Sequence, residues 1–115
     1  MKPGDIVLIR FPQTDLKAGK LRPALVLATL PGPYADLLLP MISSRVYQAV
    51  PDFDEIIDPS HSDYAITGLK VRSVVRLGRI ASVSSSVINA RLGRISPKQL
   101  RQIKNRLSDW LRKSK

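Results

Sequence analysis

The chain has 115 residues, of which 19 are Lys or Arg and nine are Asp or Glu, giving a formal charge of +10 and a pI near 10.6. It holds no cysteine, which excludes a disulfide framework and thiolate metal sites and fits a reducing compartment. No apolar run approaches the roughly 18 residues a membrane-spanning helix needs, and the opening MKPGD lacks signal-peptide character, so a single cytoplasmic domain over residues 1–115 is expected.

Such a balance of charge predicts attraction to polyanions. Between Val46 and Leu69 there is no Lys or Arg but there are five acids, Asp52, Asp54, Glu55, Asp58 and Asp63. From Arg91 onward nine basic residues face one acid, Asp109. A nucleic acid or an acidic protein would answer that field, as would a plain solvated surface.

In chain order, DIVLIRF (Asp5 to Phe11) follows a Pro-Gly pair and is β-branched and apolar, which predicts a first strand. Pro12 to Lys20, with Asp15, Lys17 and Lys20, reads as a polar connecting loop. LRPALVLAT (Leu21 to Thr29) is the pattern of a strand buried on both faces, with Pro23 at its start, where a missing N–H does little harm. The residue before a proline is held extended, so Arg22 stands at the mouth of this strand, either to neutralise a carboxylate or to present its guanidinium. Leu30-Pro31-Gly32-Pro33 marks a turn. The apolar run Ala35 to Ile42 follows, its Pro40 predicting an edge, bulge or break, and Ser43-Ser44-Arg45 leaves the strand.

Val46 to Asp63 reads as loop with a short strand near Phe53 to Ile57. Ala65 to Thr67, Ser73 to Leu77 and Arg79 to Val83 read as further short strands, and Ser84 to Arg91 as a short helix closed by Gly93. Ser96-Pro97-Lys98-Gln99 has the form of a capping box with proline at the first helical position. From there Leu100, Ile103, Leu107, Trp110 and Leu111 form one apolar stripe, with Arg101, Lys104 and Arg106 expected on the opposite face. Short, mostly antiparallel strands and one terminal helix predict a mainly β fold, a small barrel or strongly bent sheet.

Three segments in this order, GDIVLIRFPQTD (Gly4 to Asp15), RPALVLA (Arg22 to Ala28) and SVVRL (Ser73 to Leu77), resemble the MazF/PemK family of toxins from bacterial toxin–antitoxin pairs. The tail LGRISPKQLRQIKNRLSDWL (Leu92 to Leu111) looks like that family's closing strand and helix. The resemblance implies an SH3-like barrel, usually homodimeric, that cleaves single-stranded RNA without metal or cofactor and is neutralised by a cognate acidic antitoxin. In that chemistry the RNA's own 2′-hydroxyl is the nucleophile, so the protein has only to stabilise a phosphorane and move protons.

Carried over by motif, the arginine before the central proline is Arg22, whose planar fork suits phosphate oxygens. The family's hydroxyl residue falls on Ser43, with Ser44 beside it, and the basic residue of the SVVR strand on Arg76. Lys17, Lys20 and Arg79 are further candidates for contacting RNA. Where PemK-like members have an acid two positions after that arginine, this chain has Gly78. Asp15, His61 or Asp63 could take up proton transfer, Arg76 could itself act as an acid, or the protein could bind RNA and cut it poorly. A different outcome is a related CcdB-like barrel toxin that acts on DNA gyrase through its C-terminal helix.

Overall fold

The apolar runs condense into seven strands in a computed structural model that describes residues 1–10 and 20–114. They are β1 (Asp5–Ile9), β2 (Arg22–Leu25), β3 (Ala28–Thr29), β4 (Leu37–Ser43), β5 (Glu55–Ile57), β6 (Ser73–Val83) and β7 (Ala90–Arg94), followed by helix α1 (Pro97–Lys113). All pairings among the described strands are antiparallel, in the order β5-β6-β4-β2-β1-β7 with β3 added on β4. The result is the mainly β class the sequence predicts, a curled half-barrel sheet with one terminal helix.

Three irregularities bend the sheet. Leu21 to Thr29 is not one strand: after β2 the Val26 N–H donates to the Asp5 carbonyl (2.8 Å), the Leu27 N–H to that of Leu38 (2.9 Å), and only then does β3 pair with β4. Pro40 lies buried in a strand paired on both sides, and the β4–β6 register shifts immediately after it. A bulge absorbs the missing donor without making β4 an edge. The β1–β7 register shifts as well, between Ile6 and Val7, so that Leu92 is the extra residue.

Period-two alternation divides the apolar residues between two cores. Ile6, Leu25, Leu27, Ile42, Ile57, Val75 and Leu77 form one with Ile95 and with Ile103 of α1. Val7, Ile9, Ala24, Val26, Leu37, Leu39 and Val83 form the other on the opposite face, which the curl of the sheet closes. Both faces of β2 are thus buried, as its unbroken apolar run requires.

Several local expectations are corrected. Ala65–Thr67 is a 3₁₀ turn, not a strand, ended by Gly68 at φ 72°. Ser73 to Val83 is one continuous strand across Gly78 rather than two. Ser84 to Arg91 is not a helix: only Ser85–Val87 turns, capped by the Ser84 hydroxyl accepting from the Ser86 N–H, and β7 begins at Ala90. Gly93 is therefore a strand residue, needed because a Cβ there would stand 2.2 Å from the Ile66 carbonyl oxygen. Gly68 is its counterpart, with a Cβ position 2.2 Å from the Leu92 oxygen. These two glycines let the 3₁₀ turn lie directly on β7.

Helix α1 starts as its sequence dictates, with Pro97 in the first turn and the Ser96 hydroxyl accepting from the Gln99 N–H at 3.1 Å. Ile103 is fully buried, with Leu100 and Leu107 packed beside it. The stripe then runs past the core, leaving Trp110 and Leu111 more than half exposed, though the Trp110 ring lies 5.4 Å from that of Phe53. Arg106 is not on the solvent face. One turn after Ile103, it turns toward β5 and donates to Glu55 Oε1 (2.8 Å) and to the Asp54 carbonyl (3.0 Å).

Candidate functional site

Pairing of Ala24 with Met41 sets the β2–β4 register, and continuing it by two residues puts Arg22 opposite Ser43. On the outer ladders Arg22 faces Ile9 and Ser43 faces Val74. One row further in, Met41 pairs with Arg76. Cross-strand partners share a face, so Arg22, Ser43 and Arg76 stand on the same side of three adjacent strands, the side turned away from α1.

At the end of these strands lies a cleft of about 580 Å³. Lys20, Arg22, Ser43, Ser44, Arg45 and Lys70 line it, over aliphatic surface that includes Leu21, Pro23, Ile42, Leu69 and Leu92. Its described lining carries four cationic side chains and no carboxylate, an arrangement that concentrates positive potential in a partly enclosed space. Ser43 is largely buried, and its Oγ accepts the Arg45 N–H at 3.0 Å. With one lone pair so engaged, the hydroxyl proton is available to an acceptor in the cleft.

Arg76 is held from the other side. Its Nη1 donates to Gln48 Oε1 at 2.9 Å, and its Nε lies 3.4 Å from Asp54 Oδ2. Asp54 is almost wholly buried and is itself fixed, accepting the Val50 N–H through Oδ2 and the Leu77 N–H through Oδ1, each at 2.8 Å. The acid beside Arg76 thus arrives from the segment before β5, not from two positions along β6. At Gly78 a Cβ would meet nothing within 4 Å, so the place of the absent acid is open.

Other candidates fall elsewhere. Arg79 is exposed on β6 and does not line the cleft. His61 is exposed, its Nδ1 accepting the Asp63 N–H at 3.4 Å, while Asp63 lines a separate cavity at the start of α1 with Lys2 and Arg94. Asp15 and Lys17 lie outside the described residues. No group of three or more His, Asp or Glu among the described residues is placed to hold a metal ion.

Sequence reasoning missed Arg45 and Lys70. The first was signalled by its place next to Ser43-Ser44. The second had no local signal, because only the fold brings residues 68–73 beside the start of β2.

The profile of the PemK-like, MazF-like toxins of type II toxin–antitoxin systems matches residues 2–111. The chain belongs to that family. Among solved structures it is similar to MazF from Deinococcus radiodurans, with 25% identity, 96% of each chain covered and a TM-score of 0.68. The toxin MazF-mt6 of Mycobacterium tuberculosis matches at 16% identity over 94% of this chain and 96% of its own, again with a TM-score of 0.68. A mycobacterial endoribonuclease in complex with its cognate antitoxin matches at 15% identity, covering 100% of this chain and 98% of its own, with a TM-score of 0.66. No curated protein matches in sequence.

Proposed function

We propose that this protein is an endoribonuclease toxin that cleaves single-stranded RNA in the cytoplasm without a metal cofactor, acts as a homodimer and is restrained by an acidic antitoxin. The observation that carries the reading is the cationic cleft in which Arg22 stands across from a Ser43 hydroxyl oriented by the Arg45 N–H. Fold and family agree with it, and solved relatives include endoribonucleases, one of them bound to its antitoxin.

In this reaction the 2′-oxygen of RNA bonds to the adjacent phosphorus as the bond from phosphorus to the 5′-oxygen breaks. A cyclic phosphate and a 5′-hydroxyl result. Negative charge grows on the non-bridging oxygens, where the Arg22 fork is suited to hold two of them and Ser43 to donate to one. Arg76 does not line the cleft and is engaged by Gln48 and Asp54, so the charge at the phosphate is left to the cleft's own cations. Unpaired bases reach such a cleft where a duplex does not. With Gly78 in place of the family's acid, turnover is expected to be slow relative to binding, since a positioned acid or base contributes roughly 10²–10⁴-fold.

The test is incubation of purified, antitoxin-free protein with a long single-stranded RNA in EDTA, followed by analysis of the fragment ends. Fragments ending in cyclic phosphate and 5′-hydroxyl are expected. Intact RNA in the presence of folded protein would overturn the proposal.

A further inference from the structure

Lys70 lines the cleft together with the strand ends, in a segment whose shape is set by its neighbours. Thr67, buried to 1% exposure, donates its hydroxyl to the Tyr64 carbonyl (2.7 Å) and accepts the Leu69 N–H (3.1 Å). Gly68 follows at φ 72°, pressed so closely on Leu92 that no side chain fits. The chain therefore leaves the 3₁₀ turn in one direction, carrying Lys70 and the half-exposed Val71 to the cleft as a preset wall. Loops without such anchors order only on binding and lose affinity by doing so.

A scissile phosphate at Arg22 and Ser43 has neighbours on either side along the RNA strand. Lys20 lies two residues before Arg22, whereas Lys70 reaches the same cleft from a different part of the chain, and Leu21, Pro23 and Leu69 supply aliphatic surface to it. That surface suits the face of one base, and among the described lining residues there is no aromatic ring to stack it.

We propose that Lys70 is a substrate-binding residue that holds the phosphate next to the scissile one, on a wall preorganised by Thr67 and Gly68. The inference rests on the ribonuclease reading. Its role is positional: it contributes to affinity and registration of the strand and not to the charge that develops in the transition state.

The experiment measures binding of a fully 2′-O-methylated, random-sequence RNA, which lacks the nucleophile, by fluorescence anisotropy over a range of salt, together with steady-state cleavage of unmodified RNA. Lys70→Gln should weaken binding roughly five- to tenfold at low salt and reduce the salt slope by about 0.7 to 1, the release expected for one phosphate contact. KM should rise while kcat at saturating RNA holds, and Lys70→Arg should restore affinity. Lys98→Gln, which removes one charge on α1 away from the cleft, should leave the slope unchanged. Wild-type-like affinity and slope in Lys70→Gln would overturn the inference while leaving the ribonuclease reading intact. If wild-type protein neither binds nor cuts RNA, it is the ribonuclease reading that fails.

Discussion

Two groups of cationic residues in this small fold have different surroundings. On the side of β5, Arg76 lies against Asp54, Arg106 against Glu55 and Arg72 against Asp58, so three of the five acids between Val46 and Leu69 are paired with cations brought from other segments. At the far end of β2, Lys20, Arg22, Arg45 and Lys70 share a cleft whose described lining has no acid. The acidic stretch is therefore an internal counter-charge for one part of the structure. The described lining of the cleft adds no carboxylate of its own, and the proposed RNA site lies there.

The largest effect expected from disturbing this division is in the paired region. Asp54→Ala strands a nearly buried guanidinium and orphans two backbone N–H groups, and should cost about 3–5 kcal/mol, readable as a lower urea midpoint. A midpoint close to wild type would mean that the pair is not what holds the segment before β5. In the cleft the balance reverses. Arg22→Ala should reduce cleavage at least ~100-fold by analogy with a lost oxyanion donor. Full activity in that variant would remove Arg22 from the reaction and with it the contrast between the two regions.

Asp5 offers the smallest and most specific test. Burial pushes its carboxyl up, but the Lys2 N–H (3.0 Å) and the Arg91 guanidinium (3.1 Å) outweigh it and hold the group below its ordinary value. A depressed carboxyl contributes stability that is fully present above its unfolded value, near pH 4, and is lost as pH falls through the folded one. Asp5→Asn should therefore cost about 1 kcal/mol at neutral pH, discounted because Arg91 is partly exposed, and should show a shallower loss of stability below about pH 4. Acid unfolding curves superimposed on wild type would show that Asp5 carries none of it.

Legibility in the sequence followed locality. The first strand, an irregularity at Pro40 (edge, bulge or break), the Ser96 cap and the position of Arg22 before Pro23 all depend on residues within a few positions of one another, and each was readable. That Pro40 makes a bulge was decided by the pairing of β4 on both sides. Errors arose where a distant partner decides. Ala65 to Thr67 has the composition of a strand, yet it turns because Gly68 must pass over Leu92. Gly93 looks like a helix stop and is instead the opening through which that turn packs on β7. Arg106 has the spacing of a solvent residue, but β5 brings Glu55 to meet it.

By itself the sequence determined the class of the fold, the family resemblance, the basic balance and the candidates Arg22, Ser43 and Arg76, because strand periodicity, proline geometry and short motifs are properties of adjacent residues. Only the tertiary structure decided which cations the protein keeps for itself. Asp54 reaches Arg76 across 22 positions of sequence, and Lys70 joins the cleft at Arg22 through a turn clamped by Gly68. Charge is additive along a chain, whereas neutralisation depends on distance in space, so some arginines are paired as scaffold beside β5 while others line the proposed binding cleft.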